Sequence, residues 1–203
     1  MPDIKIVHKN LSHPMTNVMV DLETLGKRPG CVVLSIGAVF FDRDYTRLGS
    51  RFSAVINSPN CLALGLHEDP DTVRWWAQQS EAARLVLDQA YTSRLTLGQA
   101  LEGFAAFLQL HGATAKTVKV WGNGADFDNA ILQHCYAAVG QPVPWQFWNN
   151  RCYRTLKNLL PLIQPPERVG THHNALDDAR HQATHAIGLL RAAEMANQLL
   201  NEV

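Results

Sequence analysis

No apolar run in these 203 residues approaches the roughly 18 that carry a helix across a bilayer, so the chain does not read as a helical membrane protein. A hydrophobic N-terminal segment of signal-peptide type is also missing, and a cytoplasmic location is expected. The four cysteines, Cys31, Cys61, Cys135 and Cys152, form no CxxC pair and read as reduced thiols. Neither sign of charge is in excess, with 18 Lys plus Arg against 18 Asp plus Glu. No whole-molecule field marks a polyanionic partner, although a local basic groove beside an acidic site is compatible with zero net charge. Repeats, low-complexity tracts and linkers are absent, and no heptad or interface pattern marks an oligomer. What remains is an ordinary globular composition, 46% hydrophobic and 18% charged. It is read as one domain over 1–203 with a core of about 17–195.

Residues 1–16 are polar and irregular, either a loosely held lead-in or a short extra strand. Three strands follow, in "NVMVDLE", "CVVLSIGAVFFD" and "RFSAVIN", with turn residues between Asp42 and Gly49. Short polar connections make these three an antiparallel meander. Residues 69–88 then show apolar positions at helical spacing. A second helix, Thr96 to Gly112, opens with Thr96 and Gln99 in capping-box spacing. "VKVWG" is a short strand ahead of a helix from about Asp126 to Val139. "QFWNNRCYRTLKNLL" gives another short strand and helix, and a long helix runs from about Ala175 to Leu200. Strands first, then helices alternating with further strands, predict an α/β fold. Its mixed sheet is antiparallel at first, then parallel through crossover helices, and is flanked by helices.

Acids gather at three element junctions. Asp21 and Glu23 end the first strand; Asp126 and Asp128 start one helix; His172, His173, Asp177 and Asp178 start the last. On a helical wheel with Asp178 at zero, Ala179, Ala183, Ala186, Ile187, Leu190 and Ala193 fall between about 60° and 180°. That arc is the buried stripe. Asp178 lies just beyond its edge and leans over the sheet, whereas Asp177, near 260°, is expected to face solvent as a first-turn acid favoured by the helix dipole. Carboxylates converging in a partly buried site repel one another unless a counter-charge joins them. A hard divalent cation supplies it, and oxygen-only ligands select Mg²⁺ or Mn²⁺. Two such ions about 3.5–4 Å apart can activate water and stabilise the leaving oxygen of a phosphodiester. A histidine beside them serves as general base.

"DLETLG", "NGADFD" and "HNALDDA" together resemble the three motifs of the DEDDh, or DnaQ-like, 3′–5′ exonucleases, over about residues 17–190. The paired tryptophans near residue 75 and the wording "HNALDDA" resemble most the subgroup of phage exonuclease A and exodeoxyribonuclease VIII. One mycobacterial-type branch of similar proteins acts on RNA. The resemblance implies a ribonuclease-H-like fold and removal of nucleoside 5′-monophosphates from a nucleic-acid 3′ end, in a single strand or overhang, with DNA slightly favoured. It implies that Asp21, Glu23, Asp128 and Asp178 hold two Mg²⁺ or Mn²⁺ ions and that His173, five residues before Asp178, deprotonates the attacking water. Phe127–Asp128 matches the aromatic–acid pair of the second motif, with Asp126 as the rival acid. Leu25 stands where many relatives carry a second threonine near the terminal base.

Thr24, Leu25, Trp75, Asn123, Phe127 and Arg154 are the candidate substrate contacts. Adjacent helical residues point about 100° apart, so one of Trp75 and Trp76 can stack on a base while the other packs in the core. Arg151, Arg154 and Lys157 form either a phosphate track or a solvated helix face. His181 and His185 imitate a zinc-protease HExxH, but Gln182 replaces its glutamate, and both read as surface residues. A non-cleaving module that binds nucleic-acid ends is the other rival to catalysis.

Overall fold

The computed structural model describes residues 4–9, 14–44 and 48–201. Six strands, β1 (Ile4–Val7), β2 (Asn17–Thr24), β3 (Val33–Phe41), β4 (Arg51–Val55), β5 (Lys119–Gly122) and β6 (Asn150–Cys152), form one sheet in the order β1-β4-β3-β2-β5-β6. Pairing is antiparallel from β1 to β2 and parallel from β2 through β5 to β6, the mixed sheet expected. The polar lead-in supplies β1, which adds an edge strand to the meander. The turn from Asp42 to Gly49 lies partly outside the described residues.

Helices α1 (Ser58–Ala63), α2 (Pro70–Trp76), α3 (Glu81–Thr92) and α4 (Leu97–Leu108) precede β5; α5 (Asp128–Ala138), α6 (Tyr153–Leu159) and α7 (Ala175–Asn201) follow it. The helical stretch expected over 69–88 is two helices. Asp69 caps the first by accepting from the Asp71 amide, and Ser80 caps the second by accepting from the Ala83 amide, so a new helix starts in mid-pattern. The short α1, capped by Asn57, has no counterpart in the sequence reading. In α4 the Thr96–Gln99 capping box forms in both directions.

Strand alternation assigns the two faces of the sheet. Val18, Val20 and Leu22 of β2 point into a core with Phe104, Phe107, Ile131 and Leu132 of α4 and α5. Met19 points the other way, into a second core with Ala179, Ala183, Ala186 and Ile187 of α7 and Tyr153 of α6. The result is helices on both faces of one sheet. Two glycines set how closely helices approach it. A Cβ on Gly37 would lie 2.1 Å from the Ala175 carbonyl carbon, so α7 starts against the bare backbone of β3. A Cβ on Gly122 would lie 2.6 Å from Asn129 Oδ1 and 2.9 Å from Asp128 Cβ, so α5 folds back over the end of β5.

Candidate active site

Asp21 and Glu23 lie inside β2 rather than beyond it, two residues apart on the face that Met19 presents to α7. Asp21 pairs in register with Gly37, the point where α7 begins to cover the sheet. The close approach at Gly37 therefore brings the first turns of α7 over both acids. Gln182 reaches back from α7, and its Nε2 donates to Asp21 Oδ1 at 2.7 Å. Register shifts between Glu23 and Thr24, where the Thr24 hydroxyl donates to the Gly26 carbonyl at 2.6 Å and closes the turn.

Asp128 opens α5 and is 1% exposed. Its Oδ1 accepts from the Leu22 amide at 3.2 Å and its Oδ2 from the Asn123 amide at 2.7 Å. Those bonds staple the start of α5 to the ends of β2 and β5, which puts this carboxylate beside Asp21 and Glu23. Asp126 stays exposed on the wall of a neighbouring cavity.

Asp178 accepts from the His173 amide at 3.0 Å and forms an ion pair with Arg168. His173 has a positive φ of 59°, a left-handed turn that carries the chain into α7. One ligand atom each from Glu23, His173 and Asp178 lie within 4.8 Å of one another. Asp21, Glu23, Arg168, His173, Asp178 and Gln182 line one cavity of about 590 Å³. Trp75 stands at its wall, edge-on to His173 with ring centroids 4.8 Å apart.

The charges are under-compensated. Burial and the charges of Asp128 and Glu23 raise the Asp21 pKa well above the carboxylate range, against the Gln182 hydrogen bond and Arg168. Burial, then Asp128, pushes Glu23 up to about 8. Burial pushes Asp128 up to about 6, against the amides of Asn123 and Leu22. Glu23 Oε1 is buried with no hydrogen-bond partner. Oxygen donors, an orphaned carboxylate oxygen and a surplus of negative charge fit a hard divalent cation. Burial, His172 and Arg168 lower the His173 pKa, which keeps its imidazole neutral and able to accept a proton.

Several expected placements change. Leu25 is 7% exposed, packs in the core and is not on the wall of the cavity that holds the acids, so no substrate contact is assigned to it. Asp177 does not face solvent: its carboxylate accepts from the Thr171 amide at 3.0 Å and from Arg180 at 3.1 Å. His185 is buried, not a surface residue; it accepts from the Tyr153 hydroxyl at 2.7 Å through Nδ1 and donates to the Ile163 carbonyl at 2.8 Å through Nε2. With both ring nitrogens engaged it is no zinc ligand. Both corrections share a cause, because residues 160–174 wrap back over the flank of α7 that the helical wheel left to water. Of the expected basic track, Arg151 turns away to the Trp148 and Asn150 carbonyls, while Lys157 lines the main cavity and Arg154 the neighbouring one. Trp76 is buried and donates to the Thr24 carbonyl at 2.9 Å, while Trp75 remains 40% exposed.

Gln182, Arg168, Lys27 and His181 also line the cavity, and the sequence assigns none of them to the site. Gln182 carried a signal, since it lies four residues after Asp178 and one turn along the same helix face. Arg168 and Lys27 carried none, because irregular segments have no periodicity to place a side chain.

This α/β architecture is the ribonuclease-H-like fold. The nuclease domain of 3′hExo, a DEDDh family member solved with rAMP, matches with a TM-score of 0.62 at 12% identity, over 89% of this chain and 94% of that one. Cell-death related nuclease 4 (CRN-4) matches with a TM-score of 0.60 at 15% identity, over 88% of this chain and 65% of that one. A full-length 3′-exonuclease matches with a TM-score of 0.58 at 13% identity, over 90% and 84%. A search of curated protein sequences found no match. Residues 16–189 match the model of the 3′-5′ exoribonuclease Rv2179c-like domain, and the chain belongs to that family. Among the described residues no helix is long and apolar enough to cross a membrane.

Proposed function

We propose that the protein is a metal-dependent 3′–5′ exonuclease that releases nucleoside 5′-monophosphates from RNA 3′ ends. The observation that carries this is the convergence of Asp21 and Glu23 from β2, Asp128 from α5, and Asp178 with His173 from the start of α7. Those four acids would hold two Mg²⁺ or Mn²⁺ ions. When bound, such ions stabilise the charge that develops on a scissile phosphate. Gln182 fixes Asp21 by one carboxylate oxygen, and the Leu22 and Asn123 amides fix Asp128. His173 takes the proton of the attacking water on a ring nitrogen. Trp75 offers a ring face to the terminal base, and Thr24, Asn123 and Phe127 line the same cavity.

The family's description as exoribonuclease supports RNA as the first substrate. The resemblance of the third-motif wording to the phage exonuclease A subgroup keeps DNA as the second. Matched 5′-labelled RNA and DNA oligonucleotides, incubated with Mg²⁺ or Mn²⁺, test both points. A ladder of shortened products is expected, faster on RNA. Intact oligonucleotides with retained binding would instead make this a module that holds 3′ ends.

A further inference from the structure

A second cavity of about 420 Å³ adjoins the active site and shares two walls with it, Lys27 and Phe127. Its far side is Arg154, whose guanidinium lies over the backbone of Gly124: a Cβ placed there would be 3.9 Å from Cζ and from Nη2. Lys27 comes from the turn between β2 and β3, and Arg154 from α6, so two distant segments bring one cation each to a single opening. Among the described residues neither cation is in an ion pair with a carboxylate. Arg168, by contrast, pairs with Asp178, and Arg180 with Asp177.

A chain entering an exonuclease by its 3′ end must bring the next phosphodiester out of the acidic cavity. That group carries a full negative charge and needs cationic walls, which a protein of zero net charge can provide only locally. Lysine offers a compact point charge and arginine a planar fork that grips phosphate oxygens in pairs. We propose that the second cavity is the subsite for the phosphodiester immediately 5′ of the scissile one, held between Lys27 and Arg154. The site thereby favours substrates of at least three nucleotides. Asp126, on the same wall, is the repulsive element that limits affinity for this phosphate. This rests on the exonuclease reading above for the direction of the strand.

The test compares an RNA dinucleotide, which has only the scissile phosphodiester, with a hexanucleotide. Lys27→Gln and Arg154→Gln should each raise KM for the hexamer about fivefold, and by a clearly smaller factor for the dinucleotide. Asp126→Asn should lower the hexamer KM. Anisotropy of a fluorescent hexamer in EDTA reads the subsite without cleavage. There each cation removed should reduce the slope of log Kd against log salt by about 0.7. Equal losses on dimer and hexamer, or no change in slope, would overturn the subsite. Lys27- and Arg154-dependent binding by a protein that cleaves nothing would overturn the exonuclease reading and leave the phosphate site standing.

Discussion

The Gln182 side-chain amide donates to Asp21 Oδ1 at 2.7 Å, tying α7 to β2 across 161 residues of sequence. It leaves the second carboxylate oxygen free and orients it, as outer partners of ligating carboxylates do. Gln182→Leu should lower activity about 10–100-fold and weaken Mn²⁺ binding by a similar factor while the fold persists. Calorimetric titration with Mn²⁺ checks it. Binding equal to that of the unaltered protein would remove Gln182 from the site.

Gly37 makes the same α7 arrangement possible. With Ala175 only 2.1 Å from a Cβ placed there, Gly37→Ala must push the start of α7 away from β3. The neighbour in the way is backbone and cannot rotate aside. Overpacking of this kind costs about 1–3 kcal/mol, and a shift near 1 Å at His173 and Asp178 costs about 10²-fold in rate. Thermal denaturation and turnover should both fall. Full activity in the Gly37→Ala protein would show that α7 can sit farther from the sheet without harm.

The sheet and the acidic sites were legible because both follow short-range rules. Alternation places Met19, Asp21 and Glu23 on one face, and helical spacing puts Ala179, Ala183 and Ala186 on the buried side of α7. What stayed hidden depends on an irregular segment. Residues 160–174 bury His185, partly cover Asp177 and deliver Arg168 to Asp178, and no periodicity predicts where such a stretch lies. Leu25 misled for a related reason. The register shift after Glu23 turns the next residues, sending Leu25 into the core and leaving Lys27 at the cavity.

Removing one acid should separate catalysis from folding. Asp21→Asn relieves repulsion among buried carboxylates and keeps an oxygen to accept from Gln182, so melting temperature in EDTA should hold or rise by a few degrees. Turnover should fall by at least about 10³-fold, because the charge that holds the ions is gone. His173→Ala should cost about 10²–10⁴-fold and spare Mn²⁺ binding, since the four acids remain. Unchanged turnover in the His173→Ala protein would exclude it as the base.

Stability should depend on pH in the direction these carboxylates dictate. Burial and mutual repulsion raise Glu23 to about 8 and Asp128 to about 6, so the folded, metal-free protein binds protons more tightly than the unfolded chain. The resulting stabilisation is fully present below the ordinary carboxylate range and is lost as pH rises through 6 to about 8. In EDTA, melting temperature should therefore fall between pH 6 and pH 8.5 by about 5–10 °C, the shift that roughly 2–3 kcal/mol produces in a chain this size. Mn²⁺ replaces the protons as counter-charge, so its stabilising effect should grow over the same interval. Glu23→Gln should flatten both trends. A metal-free melting temperature that rises with pH, with Mn²⁺ most effective at pH 6, would mean that these carboxylates are already neutralised within the protein.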